Sequence, residues 1–326
     1  MIISQTPLRV SFLGGGSDLP SYYRRNGGAV ISAAIDQSVY VTVSRKFDDA
    51  VRVSYSRTEE VAKAAQVEHP LVRESLALLG IEGGIEITSV ADIPARGTGL
   101  GSSSSFTVGL LNALHAYSGR YANAARLAEE SCEVEIERCS EPIGKQDQYA
   151  AAFGGFNFIR FHPDDSVEVK KVLCARSLIA DLQSRLLFFY TGVTRSASAL
   201  LRQQSADVAA PGPKSDATAE LVRLAECAFA DLCAGNISSL GSMLHAAWQT
   251  KKQLVSGVTS DLIDEAYQAA RDAGAEGGKL LGAGGGGFLL FLAPPERQAS
   301  IRNALRKLRE TPFRFAPHGS RIIFVH

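Results

Sequence analysis

The stretch PARGTGLGSSSSFTVGLL, residues 94–111, places three closely spaced glycines directly before four serines and a helical run of apolar residues. Phe106, Leu110, Leu114 and Tyr117 recur at helical spacing, and the serines stand where an N-cap is wanted. A helix is therefore expected to begin near Ser103 and to stop at Gly119. Glycines let backbone N–H groups converge on an anion, and a helix N-terminus adds unpaired donors and the positive end of its dipole. Phosphate suits such a pocket, and hydroxyls from Ser102 to Ser105 could also hold a phosphate-bound Mg²⁺. The alternative is a flexible Gly/Ser loop that merely caps a helix. No G-x-x-x-x-G-K-[S/T] phosphate loop occurs anywhere in the chain, so a nucleoside triphosphate would need another architecture.

Outward from this loop, residues 2–13, 29–44 and 85–90 are rich in Val, Ile, Ser and Tyr and are expected to be strands. A second helix is expected over 122–138, followed by strands at FNFIRF and LLFFY (186–190). Polar sequence then leads to APGPK, and a second unit should hold helices at 216–234, 237–255 and 260–273. A strand pair within 278–293, a helix at 296–309 and a last strand RIIFV complete it. Strands first and helices later give an α+β order rather than a regular βαβ alternation. Two domains are expected, 1–190 and 191–326, with a cleft between them.

Two further glycine loops stand out. FLGGGSDLP (12–20) presents Asp18 after Gly14, Gly15 and Gly16, with Ser17 between. KLLGAGGGGFLLFL (279–292) has five glycines between Gly282 and Gly287, more than a hairpin needs, which suggests close approach by another backbone or a ligand. Its G-x-G-x-x-G spacing lacks the strand–loop–helix context of a dinucleotide site, so a nicotinamide oxidoreductase is set aside.

The acids divide within EVEIERCSEPIGKQDQYAAAFGG (133–155). Ala124, Ala128, Ser131, Cys132, Glu135 and Cys139 fall on one helical face, where Glu135 is the sole charge and needs a partner, either a metal ion or a buried cation. Glu130, Glu133, Glu137 and Glu141 lie mainly off that face and are expected in solvent. Asp147, expected in a loop beside Lys145, pairs a carboxylate able to take a hydroxyl proton with a cation able to steady developing charge.

The balance of 34 Lys+Arg against 34 Asp+Glu removes the basic surplus that nucleic-acid and membrane-surface binders use. Five scattered cysteines form no Cys-x-x-Cys pair and indicate neither disulfides nor zinc. The longest stretch without Asp, Glu, Lys or Arg, Gly97 to Gly119, is too rich in Ser and Gly for a membrane span. Reduced thiols, with no signal-peptide pattern in MIISQTPLRV, lead us to expect a cytoplasmic protein.

PLRVSFLGGGSDLP (7–20), IPARGTGLGSSSS (93–105) and KLLGAGGGGFLLF, in that order and spread over nearly the whole chain, resemble the three motifs of the GHMP small-molecule kinases. That family includes galactose, homoserine, mevalonate and phosphomevalonate kinases. GGGSDLP together with GKQDQYAAAFGG resembles the branch acting on the anomeric oxygen of heptose and fucose. The resemblance implies an N-terminal domain like the second domain of ribosomal protein S5 and a ferredoxin-like C-terminal domain. ATP and Mg²⁺ would be the cofactors and a small sugar phosphate the partner, with no nucleic acid or membrane; the sequence leaves the oligomeric state open, a homodimer being one possibility.

Carried over by position, Arg96, Gly97, Thr98, Gly99, Leu100, Gly101 and Ser102 to Ser105 would wrap the ATP phosphates. Ser103 and Glu135 would hold Mg²⁺, with Glu137 the rival to Glu135. Asp147 would be catalytic, assisted by Arg9 and Lys145. Gly15, Gly16, Ser17 and Asp18 would meet the sugar, and Gly284, Gly285 and Gly286 would border it. The implied reaction is transfer from ATP to the C1 hydroxyl of D-glycero-α-D-manno-heptose 7-phosphate, giving the 1,7-bisphosphate used for GDP-heptose synthesis. Arg24, Arg25, Arg96, Lys145, Lys171 and Arg195 are the candidates to hold the 7-phosphate. A fucose-type sugar 1-kinase and a non-catalytic sugar and ATP sensor are the rival readings.

Overall fold

The computed structural model describes residues 1–93, 97–194 and 198–326. The strands are β1 (Ile2–Leu13), β2 (Gly28–Arg45), β3 (Val51–Ser54), β4 (Thr58–Val61), β5 (Ile85–Ala91), β6 (Phe156–Phe161), β7 (Val167–Lys171), β8 (Leu186–Tyr190), β9 (Gly277–Leu280), β10 (Phe288–Leu292), β11 (Arg309–Glu310) and β12 (Arg321–Val325). The helices are α1 (Pro20–Asn26), α2 (Pro70–Leu79), α3 (Ser102–Tyr117), α4 (Ala124–Cys132), α5 (Gln146–Phe153), α6 (Arg176–Arg185), α7 (Ser198–Val208), α8 (Pro213–Cys233), α9 (Leu240–Leu254), α10 (Asp261–Asp272) and α11 (Gln298–Ala304). This is the expected α+β class.

The first sheet runs β12-β1-β2-β5-β3-β4, and β2 is long enough to serve two neighbours. Its first part, Gly28 to Ala33, pairs with β6 and its last part, Val39 to Arg45, pairs with β5. The β1–β2 register shifts between Pro7 and Leu8, with Asp36 and Gln37 of β2 bulging out of the ladder opposite Pro7, which has no N–H to give it. Pro7 lies beside the start of α3: Ser105 Oγ donates to the Pro7 carbonyl at 2.8 Å, and Ser4 Oγ donates to the Gly109 carbonyl at 2.7 Å. The serine helix is thereby pinned across β1, with its N-terminus held at the strand end that carries Arg9.

The second sheet is antiparallel, in the order β11-β8-β10-β9. Phe188 of β8 stacks on Phe288 of β10 at 4.2 Å between ring centroids. One continuous apolar core joins the two sheets, and Phe12, Phe156 and Phe315 close it with ring separations of 5.5 and 5.8 Å. Strand pairing crosses position 190/191 in both directions. LLFFY, placed in the first unit by its position in the chain, pairs with β10 of the second sheet, and RIIFV returns to pair with β1. Cross-strand partners are distant in sequence, so local composition could not assign either strand.

Other expectations change: the helix expected over 296–309 ends at Ala304, and Arg309–Glu310 forms β11. The helix expected over 122–138 ends as α-helix at Cys132 and continues as a π-helical turn over Glu133–Arg138, a feature that re-aims side chains and is frequent at functional sites. Asp147 lies in the first turn of α5 rather than in a loop, where the helix dipole favours a carboxylate. Among the described residues, no helix is long and apolar enough to cross a membrane, and all five cysteines are free.

Candidate active site

A cavity of about 490 Å³ opens where the three glycine loops meet. Arg9 on β1 organises it. Its backbone N–H donates to the Leu100 carbonyl at 3.1 Å, which fastens the strand to the serine loop. Its side chain, 4% exposed, grips Asp147 with two bonds, Nε to Oδ1 at 2.7 Å and Nη2 to Oδ2 at 2.8 Å. The third arm, Nη1, donates to the Gly99 carbonyl at 2.6 Å. One guanidinium therefore fixes both the carboxylate and the phosphate loop, the planar fork geometry for which arginine is suited. Gly101, at φ +73°, brings its backbone so near that an added Cβ would stand 3.2 Å from Asp147 Oδ2.

Asp18 forms the opposite wall. It is buried, and its carboxylate accepts from Gly16 N at 3.0 Å, Gln146 N at 3.2 Å and Gln146 Nε2 at 3.1 Å. Burial, with the charge of Asp147 adding to it, pushes the Asp18 carboxyl upward from its ordinary value. Ser11 Oγ holds the other end of the Gln146 amide at 2.9 Å. A polyhydroxylated ligand entering here meets acceptors and donors already fixed in direction.

Glu135 is 1% exposed and faces the start of α3. Its carboxylate accepts from the hydroxyls of Ser103 at 3.1 Å, Ser104 at 2.7 Å and Thr107 at 3.1 Å, and from the Gln148 amide. All four donors are neutral, so burial wins and raises its pKa to about 7. A buried acid with no cation beside it among the described residues, next to the hydroxyls of the serine loop, fits a divalent metal. Among the described residues no group of three His, Cys, Asp or Glu could hold one. Mg²⁺ commonly takes one or two carboxylates and fills its remaining positions from phosphate and water. Glu137 does not fit: it is exposed and lines a separate acidic depression with Glu129, Glu130 and Glu133.

The third loop packs backbone to backbone on the phosphate loop. A Cβ on Gly282, at φ +74°, would fall 2.3 Å from the Gly99 Cα. We expect Gly282→Ala to lower unfolding free energy by at least about 2 kcal/mol and to weaken nucleotide binding together with it. Urea titration and calorimetry check this, and an unaltered Cm and affinity would contradict the contact. Two buried lysines reach the same cavity: Lys279 Nζ donates to the Phe12 carbonyl at 3.0 Å, and Lys251 Nζ donates to the Gly282 carbonyl.

Of the expected phosphate-loop residues, Gly97, Gly99, Gly101, Ser102, Ser103 and Ser104 line the cavity. Thr98, Leu100 and Ser105 are fully buried and do not line it, and Arg96 lies outside the described residues. Gly15, Gly16, Asp18, Gly284 and Gly286 line it, whereas Ser17 exchanges hydrogen bonds with the Ala29 backbone and Gly285 donates to the Val258 carbonyl. Lys145 does not steady Asp147. Its ammonium lies 3.3 Å from Asp165 Oδ1 and over the Tyr23 ring, because residues two apart at a helix start do not face each other. Arg24 pairs with Asp165, Arg25 donates to the Ala209 carbonyl and Lys171 to the Phe153 and Gly154 carbonyls. None of these three lines the cavity, and Arg195 is outside the described residues.

Sequence reasoning missed Ser11, Gln146, Lys251 and Lys279. Glu141, expected in solvent, is half-buried on the cavity wall and accepts from Ser198 Oγ at 3.2 Å. Lys251 had a signal, since Leu240, Leu244, Ala247, Trp248, Lys251 and Leu254 form one buried helical face, the criterion that singles out Glu135.

Two family models match the chain: GHMP kinases N terminal domain over residues 41–155 and GHMP kinases C terminal over 228–310. The D-glycero-alpha-D-manno-heptose 7-phosphate kinase of Campylobacter jejuni is 28% identical over 94% of this chain and 93% of its own. An L-fucokinase/L-fucose-1-P guanylyltransferase of Bacteroides fragilis is 24% identical over 96% of this chain, which spans 37% of that protein. The crystal structure of a D-glycero-D-manno-heptose 1-phosphate kinase of Bacteroides thetaiotaomicron superposes with TM-score 0.82 at 25% identity over 100% of both chains. With both domain matches, full-length structural agreement and three glycine loops around one cavity, the chain belongs to the GHMP kinase family and is an ATP-dependent sugar kinase similar to heptose phosphate kinases.

Proposed function

We propose that this kinase transfers the γ-phosphoryl group of ATP to the C1 hydroxyl of D-glycero-α-D-manno-heptose 7-phosphate. The product is the 1,7-bisphosphate, a precursor for nucleotide-activated heptose. The observation that carries the reading is the Arg9–Asp147 pair held between the phosphate loop and Asp18. Likeness over nearly full length to a heptose 7-phosphate kinase supports the choice of acceptor.

Loop amides at Gly99 and Gly101 and the first N–H groups of α3 take the nucleotide phosphates. Asp18 and Gln146 orient the sugar so that its reacting hydroxyl faces Asp147. Asp147 uses two of its lone-pair positions on Arg9 and has others free to accept the hydroxyl proton. Mg²⁺, held by Glu135 and Ser103, would neutralise charge on the phosphates. Little else is required, because phosphoryl transfer asks mainly for in-line positioning and charge neutralisation.

An ADP-release assay with ATP and Mg²⁺ over heptose 7-phosphate, fucose, mannose and galactose tests the reading. The expected result is the highest kcat/KM on heptose 7-phosphate. A higher value on fucose assigns the fucose-type activity instead, and nucleotide binding without turnover on any sugar assigns the sensor.

A further inference from the structure

We infer that Lys251 is a catalytic cation of this kinase, its ammonium group binding the oxygens of the phosphoryl group as that group passes from nucleotide to acceptor hydroxyl. The inference rests on the sugar-kinase reading and adds a residue from the opposite side of the cleft.

Lys251 projects from the inward face of α9 and is 9% exposed. Its ammonium holds the Gly282 carbonyl, at the point where the third loop abuts Gly99. Gly99 in turn gives its carbonyl to Arg9, the partner of Asp147. The lysine thus sits at the seam of the phosphate loop and the third loop, one backbone contact from the residues that orient the hydroxyl.

Other cations in the cavity are less available. Both oxygens of Asp147 and the Gly99 carbonyl occupy the Arg9 fork. Lys279 also has one carbonyl partner, Phe12, but burial, reinforced by Lys251 and Arg9, holds its pKa well below the ordinary lysine value and favours the neutral amine. Among the described residues, Lys251 has no carboxylate within ion-pair distance and a single hydrogen-bond partner, which leaves two of its three N–H donors unused. A buried ammonium satisfied by one carbonyl is costly to maintain unless an anion joins it. Burial, reinforced by Arg9 and opposed by Asp18, lowers its pKa to about 8, so the ion is poised to gain from a negatively charged oxygen.

The transferred group supplies that oxygen. As the acceptor oxygen bonds to the γ-phosphorus, the bond to the β–γ bridging oxygen breaks, the hydroxyl proton passes to Asp147 and ADP leaves. Charge spreads over three equatorial oxygens in the transition state, and a fixed cation there lowers the barrier without reorganising. Lys251 remains protonated throughout.

Lys251→Met and Lys251→Arg in the full chain test the proposal. Lys251→Met is expected to reduce kcat by about 10²- to 10³-fold, with the acceptor KM within about threefold. It should weaken a non-hydrolysable triphosphate analogue by about tenfold while leaving ADP affinity unchanged, a comparison that also reports that the variant is folded. Lys251→Arg should recover most of the loss and displace to higher pH the fall in kcat/KM expected near pH 8, with Arg9, Asp18, Asp147 and Lys279 the other charged groups facing this site. Retained kcat overturns the proposal. So does a loss confined to the KM of a phosphorylated sugar, which would make Lys251 a holder of the acceptor phosphate, or an equal loss of ADP and triphosphate affinity. If wild type turned over no sugar, the kinase reading would fail, and the ADP–triphosphate comparison would still decide the role of Lys251.

Discussion

Replacing Asp147 with asparagine is expected to reduce turnover by about 10²- to 10⁴-fold while nucleotide affinity stays within about threefold. Asparagine keeps the shape and one acceptor for Arg9, but its amide turns a donor toward the guanidinium and has no basic lone pair for the hydroxyl proton. The loop amides that receive the nucleotide are untouched, and Arg9 keeps its bond to the Gly99 carbonyl. The predicted loss therefore falls on kcat rather than on nucleotide binding. Steady-state kinetics and a nucleotide titration measure the two quantities separately. Wild-type turnover would remove Asp147 from the mechanism, and a matching loss of nucleotide affinity would show that the pair is structural.

Glu135→Gln should move activity and stability in opposite directions. Losing the acid at the metal position is expected to lower turnover by about 10²-fold or more. In the ligand-free protein the same substitution should stabilise. The folded pKa of Glu135 is about 7 against an ordinary 4.5, so its contribution is fully present below pH 4.5 and is lost as pH rises through 7. For one fully buried group the difference is on the order of 3 kcal/mol at pH 8. Thermal unfolding without Mg²⁺ or nucleotide should find the variant equal to wild type near pH 4.5 and more stable at pH 8. A variant that is less stable at pH 8 would mean that the four hydrogen bonds to the carboxylate outweigh its burial.

The parts of this site that were legible in the chain were those written locally. Glycines before a serine helix announce an anion site because backbone geometry and helix dipole act within a few residues, and the structure places Gly99, Gly101 and Ser102 to Ser104 on the cavity. Glu135 was legible because one helical face isolates a single charge, and its burial follows. The pairing of Asp147 was not, since its cation, Arg9, is 138 residues away and the adjacent Lys145 turns to Asp165. Lys251 and Lys279 come from a helix and a strand whose approach to the phosphate loop depends on the second sheet. The short strands β3 and β4 carry charged residues on an edge of the first sheet, which mutes the alternation that marks a strand. LLFFY and RIIFV were legible as strands but not as members of their sheets, because partner choice is a long-range property.

The most direct measurement is a crystal structure of the protein with Mg²⁺ and a non-hydrolysable ATP analogue. The account predicts the β- and γ-phosphate oxygens about 3 Å from backbone N–H groups between Gly99 and Ser104, with the metal on Glu135 and Ser103 and the γ-phosphate facing Asp147. An analogue bound elsewhere, with that turn free of phosphate, would contradict it.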